Sequence, residues 1–377
     1  MRKSLVFLSA CTWVLLAACG GEPELRDIAP TDPRIQFIGR VDLSAAAPTF
    51  SYPGVSIKAR FTGSTLNVKL KSEGKGGARG TNYFYVIIDE DAPIKLETRL
   101  DATVYEVAKN LDPNLEHVVE LYKLTESEVG QVQFLGFQIR GDMLTAPIRP
   151  NRRMEMIGDS FACAYGNDGV FLPPPYGNPT TGFNAVNQNY YMSFSAITAR
   201  ALGAELMGTC VSGRGMLRNN TGDTVETLPG IYNRILPLRR TSAAWEPNRY
   251  VPDVVVINLG TNDFAFQQEA PEEAAFQTAY KTFVRRLREL YPEAKIVCTV
   301  GSMMSDYFPA GKQHWTLIQR YTAGVVEQLN AEGDAQVYYM AFSTQRVPYG
   351  EDWHPTIDSH RISATELTNF LKPITGW

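Results

Sequence analysis

A chain of 377 residues is long for a single domain and fits two. Its 44% hydrophobic and 20% charged residues are ordinary for a globular protein. A formal net charge of −4 without basic runs argues against nucleic acid as a partner.

Residues 1–19 read as a removable leader. Arg2 and Lys3 open it, Ser4 to Ala18 form a short apolar run, and Leu16-Ala-Ala-Cys19 closes it. The run is too short to span a bilayer with ease. Its ending resembles a bacterial lipobox, so Cys19 is the expected lipidation site and the membrane, through that anchor, an expected partner. A plain signal peptide is the alternative. The mature chain is then expected to be an exported, membrane-anchored lipoprotein, at the outer membrane or at the cell surface or periplasm. Residues 20–33, polar and proline-containing, read as a linker. Beyond Cys19 stand Cys163, Cys210 and Cys298, too widely spaced for a disulfide framework or a metal site. They are expected as buried reduced thiols, with a Cys163–Cys210 bridge the alternative in an exported protein.

Residues 34–149 have an all-β texture. Ile35–Val41, Val55–Phe61, Leu66–Leu70, Tyr83–Ile88, Thr103–Val107, His117–Leu124 and Val132–Ile139 each alternate or run apolar over strand length. Thr62-Gly-Ser and Gly74-Lys-Gly-Gly read as turns between them. Such regularly spaced short strands predict a smaller N-terminal sandwich or jelly roll, ending near Pro147 and Pro150.

From residue 150 to 377 the pattern changes to strand, then helix. Apolar strands are expected at Met154–Ile157, Glu205–Met207, Val254–Leu259, Ile296–Val300 and Val337–Phe342. Helical patterns lie at about Asn189–Leu202, Pro271–Tyr291, Gln313–Ala331 and Asp358–Leu371. The alternation predicts an α/β domain with a doubly wound, mostly parallel sheet. Two connections, Asn167–Val186 and Met216–Pro252, are long for crossovers. Their aromatics, among them Phe171, Tyr176, Phe183, Tyr232, Trp245 and Tyr250, either floor a sugar site or pack the loops down.

Four short stretches fall where that sheet ends. Met154-Glu-Met-Ile-Gly-Asp-Ser-Phe161 sets Ser160 just past the first strand, at the carboxyl edge where open α/β sheets bind ligands. Gly213 follows the second strand, and Asn262 lies four residues past Asn258 on the third. The Ser160 N–H, the Gly213 N–H and the Asn262 amide would make three donors for one developing oxyanion. His354 comes after the last strand, where a loop can return to the same edge. A serine needs such a base, and the base an orienting group, for which Asp352 and Glu351 are the nearby carboxylates. Each stretch taken singly also reads as a turn or surface loop. Their common placement and order carry the functional reading.

Ser160, Gly213, Asn262 and His354 match, block by block, the four namesake residues of the SGNH hydrolases, also called GDSL esterases. Gly158-Asp-Ser-Phe-Ala-Cys-Ala-Tyr-Gly-Asn167, Asn258-Leu-Gly-Thr-Asn-Asp263 and Asp352-Trp-His-Pro355 resemble one subset, the carbohydrate esterase family 2 deacetylases. Gly39-Arg-Val-Asp42 and Tyr52-Pro-Gly54 are similar to pieces of the N-terminal jelly roll of that subset. The resemblance spans about residues 33–372. It implies an SGNH-type, flavodoxin-like sheet, and removal of O-acetyl groups from a polysaccharide or oligosaccharide partner without metal or other cofactor. It also implies that Trp353 forms part of a sugar platform. In SGNH hydrolases generally the orienting aspartate stands three residues before the histidine. Here that position is Glu351, while Asp352 stands two before, and some family members use a backbone carbonyl instead. Asp352 is the expected acid, with Glu351 as the alternative.

The resulting expectation is a serine esterase forming an acyl-enzyme on Ser160, with His354 as base. Its rivals are an SGNH esterase acting on lipid, thioester or bacterial surface glycan esters, and a non-catalytic glycan-binding lipoprotein.

Overall fold

The computed structural model describes residues 24–44, 47–74, 76 and 80–377. The expected leader and Cys19 lie outside these residues.

The strands of the N-terminal part are β1 (Arg26–Ile28), β2 (Gln36–Ile38), β3 (Thr49–Phe50), β4 (Ser56–Ser72), β5 (Tyr83–Ile88), β6 (Ile94–Glu97), β7 (Val104–Ala108), β8 (Glu116–Lys123) and β9 (Val132–Met143). They make one nine-stranded sheet with antiparallel pairing throughout. Its interior is aromatic, with Phe50, Phe61, Phe84, Phe134 and Phe137 fully buried.

Two sequence expectations change here. Thr62-Gly-Ser is not a turn, because β4 runs straight through it for 17 residues. Ile57, Ala59 and Phe61 face inward before it, and Leu66, Val68 and Leu70 after it. The inward face thus switches from odd to even positions, as a β-bulge requires. The register against β9 shifts at that point, where Gly63 (φ +124°) lies so close to β9 that a Cβ would stand 2.1 Å from the Arg140 carbonyl. The second change concerns the expected linker. Its Arg26–Ile28 is edge strand β1 on β9, with Arg26 paired to Asp142 at 2.8 Å and Asp27 to Lys69 at 2.6 Å. Three mostly polar residues give no hydrophobic pattern to read, and backbone pairing makes the strand.

The C-terminal part holds β10 (Arg152–Gly158), β11 (Ala204–Cys210), β12 (Val254–Asn258), β13 (Lys295–Val300) and β14 (Val337–Ala341). All pair in parallel, in the order β11-β10-β12-β13-β14, the expected doubly wound, flavodoxin-like order. Helices α1 (Phe194–Ala201), α2 (Leu228–Ile231), α3 (Thr261–Ala265), α4 (Glu273–Leu290) and α5 (His314–Ala331) lie in the connections, and α6 (Ile357–Thr375) follows β14. The inner strands are buried on both faces, which is why Val254-Val-Val-Ile257 is a continuous apolar run rather than an alternating one.

A charge sits within that apolar layer. Glu155, in the middle of β10, is fully buried and meets the equally buried Arg40 of the N-terminal part at 3.1 Å. Thr209 Oγ1 at 2.7 Å and Tyr232 OH at 2.9 Å donate to the same carboxylate. Arg40 also donates to the Tyr232 carbonyl and lies 4.5 Å from the Tyr232 ring centroid and 5.4 Å from that of Trp245. Stranding one partner of such a pair costs about 3–5 kcal/mol. The pair therefore fixes how the antiparallel sheet seats against the parallel one. Tyr232, Trp245 and Tyr250 are all buried, and the Tyr250 hydroxyl donates to the carbonyls of Met154 and Glu205. In the Met216–Pro252 connection the packing role is thus the one these aromatics take.

Candidate active site

Strand register decides where the chemistry gathers. Gly158, the last residue of β10, lies level with Cys210 at the end of β11 and Asn258 at the end of β12. Ser160, Gly213 and Asn262 lie two, three and four residues beyond these ends, so all three emerge on one edge. Gly158 permits the sharp exit: a Cβ there would stand 2.4 Å from the Ala162 side chain and 2.8 Å from the Asn258 carbonyl. Cys163 and Cys210 are joined in a disulfide, overturning the expectation of reduced thiols. It ties the turn after Ser160 to the strand end before Gly213. Cys298 is free and buried.

The edge opens into a cleft of about 560 Å³ lined by Ser160, Gly213, Asn262 and His354. All four residues foreseen from the sequence therefore share one cavity. Asn262, at the start of α3, anchors its amide by donating to the Arg214 carbonyl at 2.9 Å. Gly213 has φ +76°, which a side chain would resist. Among the described residues neither the Ser160 N–H nor the Gly213 N–H has a backbone acceptor. Asp263 shapes the next loop by accepting the N–H groups of Met216, Leu217 and Arg218 at 2.7–2.9 Å. Burial pushes its carboxyl up to about 6, against the pull of those donors. Asp159, beside the serine, is also fully buried, and burial raises it to about 7.

The histidine departs from expectation in its partner. His354 Nδ1 lies 3.0 Å from the Glu351 carbonyl and 3.2 Å from the Asp352 carbonyl, so backbone oxygens orient the ring. The expected carboxylates face elsewhere. Asp352 accepts from Tyr165 OH at 2.6 Å and from the N–H groups of Thr181 and Gly182 at 3.0 and 2.9 Å. Glu351, fully buried, accepts from the Asn184 N–H at 3.0 Å and from the amides of Asn184 and Asn187 at 2.7 and 2.6 Å. Asp352 and Trp353 hold φ of 47° and 66°, a left-handed backbone that non-glycine residues adopt only when their surroundings enforce it. Those carboxylate anchors are the enforcement, and the turn brings both carbonyls onto Nδ1. Among the described residues His354 Nε2 has no hydrogen-bond partner. Burial, outweighing the carbonyls, lowers the imidazole to about 4.

Sequence reasoning missed several cleft residues. Tyr165 stacks on the His354 ring with centroids 4.3 Å apart. Arg214, Asn219, Asn220, Thr221 and Asp223 form a polar wall, and Glu128 reaches in from the N-terminal sheet. Asp223 is held down to about 2 by Asn219, the Val225 N–H and Thr221. Polar loop residues carry no periodic signal, so only the docked loops could reveal them. Trp353 does not line the cleft but is flanked by two residues that do. It is 39% exposed, and its indole donates to Thr180 Oγ1 at 3.1 Å.

Fold and site together define an SGNH-type hydrolase. Residues 37–147 match the Carbohydrate esterase 2 N-terminal family, and residues 156–362 the GDSL-like Lipase/Acylhydrolase family. An acetylxylan esterase / glucomannan deacetylase of Cellvibrio japonicus is 33% identical over 96% of this chain and 96% of its own length. The cellulase/esterase CelE of Acetivibrio thermocellus is 36% identical over 92% of this chain, which spans only 40% of that larger protein. A family two carbohydrate esterase from Clostridium thermocellum, solved with cellohexaose, superposes with a TM-score of 0.81 at 36% identity, covering 91% of this chain and 99% of its own. The chain belongs to carbohydrate esterase family 2 of the GDSL hydrolases.

Because backbone carbonyls orient His354, amide substitution at Asp352 or Glu351 takes no partner from the imidazole and leaves each loop anchor one acceptor oxygen. Asp352→Asn and Glu351→Gln are each expected to lose less than ~10-fold in kcat/KM on 4-nitrophenyl acetate. A histidine-orienting aspartate in the serine-protease template is worth about 10⁴-fold by the same substitution. A selective loss of that order in one variant would return the carboxylate to the imidazole.

Proposed function

We propose that the chain is an exported serine esterase that removes O-acetyl groups from polysaccharide, of the xylan or glucomannan type. The observation that carries this reading is the single cleft lined by Ser160, Gly213, Asn262 and His354, in a chain whose relatives include an acetylxylan esterase / glucomannan deacetylase.

Ser160 Oγ attacks the acetyl carbonyl carbon while His354 Nε2 takes the hydroxyl proton. The oxyanion that forms is held by the N–H groups of Ser160 and Gly213 and the Asn262 amide. The proton passes from His354 to the departing sugar oxygen, leaving an acetyl group on Ser160. Water, deprotonated by the same imidazole, releases acetate and restores the serine. A neutral imidazole is a competent base, and burial keeps His354 neutral well below its ordinary range. The amides and carboxylates of the cleft wall suit sugar hydroxyls. The half-exposed Trp353 beside the cleft supplies an aromatic face on which a sugar ring can stack.

Acetate release from acetylated xylan and glucomannan is the direct assay. Ser160→Ala and His354→Ala are each expected to lose ~10³-fold or more, about equally because they act as one unit. Acetyl esters should exceed butyryl esters clearly, with octanoyl esters nearly inert. Trp353→Ala should weaken polysaccharide deacetylation far more than hydrolysis of 4-nitrophenyl acetate. Octanoyl turnover equal to acetyl, or equal losses on both substrates, would point to lipid esters instead.

The membrane anchor is part of the same reading and rests on Leu16-Ala-Ala-Cys19 alone. Stable attachment takes more than one acyl chain, as a lipoprotein cysteine receives. Cys19→Ser should move the protein from the membrane fraction to the soluble exported fraction. Wild-type protein recovered wholly soluble would mean an ordinary signal peptide.

A further inference from the structure

The connection between β8 and β9 leaves the N-terminal sheet and enters the other half of the molecule. It carries Thr125, Glu126, Ser127 and Glu128, directly after Lys123 at the end of β8. Lys123, Thr125 and Glu126 are completely buried, an unusual state for a lysine and a glutamate. The Lys123 ammonium donates to the carbonyls of Thr125 and Glu126 and to Thr125 Oγ1 at 3.1 Å, holding the turn closed from inside. A single turn of 3₁₀ helix, Ser127–Val129, follows and brings Glu128 to the cleft.

The Glu126 carboxylate does not stay in its own sheet. The Ser212 hydroxyl donates to Glu126 Oε1 at 2.8 Å, and the Ser212 N–H donates to Oε2 at 3.2 Å. Ser212 is the residue before Gly213 and itself lines the cleft. Gly213 is also held by the turn in which the Arg214 N–H donates to the Val211 carbonyl at 3.4 Å and, on its far side, by the Asn220 N–H, which donates to its carbonyl at 3.1 Å. The peptide plane that carries the Gly213 N–H joins Ser212 to Gly213, and Glu126 holds its Ser212 end.

We infer that Glu126 is a positioning residue of the reaction, through which the N-terminal domain aims the Gly213 N–H at the oxyanion. The inference rests on the esterase reading above. It makes the β domain a part of the reaction centre rather than an appended module. Donors to an oxyanion act only when aimed at where the charge forms, and a misplacement of about 1 Å can cost ~10²-fold. Burial, reinforced by neighbouring Glu128, raises the Glu126 carboxyl, so a neutral side chain of the same shape is a fair substitute. Glutamine keeps an oxygen for the Ser212 N–H and offers an amide N–H to the Ser212 hydroxyl, which can turn to accept. Alanine keeps neither.

The test uses the full chain with 4-nitrophenyl acetate, reading kcat, KM and the thermal midpoint for Glu126→Ala, Glu126→Gln, Ser212→Ala and the Glu126→Ala/Ser212→Ala pair. Glu126→Ala is expected to lose ~10²-fold in kcat with KM within about 3-fold, as removal of an oxyanion donor does. Glu126→Gln should recover to within ~10-fold of wild type, and Ser212→Ala should add little in the Glu126→Ala background. Glu126→Ala with wild-type kcat would overturn the inference. So would glutamine failing to restore kcat while restoring the thermal midpoint. If Glu126→Ala does not fold, Ser212→Ala decides: a loss of ~10-fold confined to kcat supports the inference, and an unchanged kcat overturns it. Wild-type protein without esterase activity, or Ser160→Ala with full activity, would instead defeat the esterase reading itself.

Discussion

A histidine oriented by backbone carbonyls imposes a constraint that a histidine–carboxylate pair does not. A carboxylate can reach its imidazole by choosing a rotamer, whereas a carbonyl moves only with its chain. The segment before His354 must therefore be held in one conformation, and the neighbouring loops supply that hold. The Gly166 carbonyl accepts the Glu351 N–H at 3.1 Å, the Pro179 carbonyl accepts the Asp352 N–H at 2.7 Å, and the His354 carbonyl accepts the Gly350 N–H at 2.7 Å. Gly166 lies so close to Glu351 that a Cβ would come within 2.4 Å of its side chain. The two carboxylates that look like catalytic acids thus act as anchors, their oxygens taken up by the Asn167–Val186 connection, by Asn187 and by Tyr165.

The same economy governs the join between the two sheets. One buried ion pair, Arg40 with Glu155, locks the N-terminal part against the middle of β10. Glu126 then reaches the far end of the neighbouring strand β11, where the chain leaves toward Gly213. The disulfide between Cys163 and Cys210 closes the short path between the exits of β10 and β11. Seating, aiming and cross-linking therefore fall on two adjacent strands. Ser160 and Gly213 follow the ends of these two strands, and Asn262 follows the end of the neighbouring β12.

Much of this was legible in the sequence, for identifiable reasons. The inner parallel strands were legible because strands covered on both faces are largely apolar, as Val254–Ile257 is. Ser160, Gly213 and Asn262 were legible because each lies within four residues of such a strand's end, so the position of the strand places the residue. What failed was whatever depends on two distant segments meeting. A spacing of 47 residues says nothing about whether Cys163 and Cys210 touch, and only the level register of β10 and β11 brings them together. Thr62-Gly63-Ser64 has the composition of a turn, yet the odd-to-even change of inward positions across it was there to be read as a bulge. Tyr232 and Trp245 looked equally suited to a sugar or to a core. Their choice was made by Arg40, more than 190 residues away in sequence. Glu126 reads as an ordinary loop acid until its burial is seen.

Burial sets the state of His354, outweighing the Glu351 carbonyl and the charge of Asp352, and neither residue's carboxylate bonds the ring. Its titration, followed by nuclear magnetic resonance of the imidazole in the resting protein, tests this most directly. The ring should stay neutral as the pH falls and take its proton near pH 4, below the ordinary histidine value of 6.5. The Nδ1 proton should be held throughout the neutral range. A titration at or above 6.5, the behaviour of an imidazole paired with a carboxylate, would contradict it.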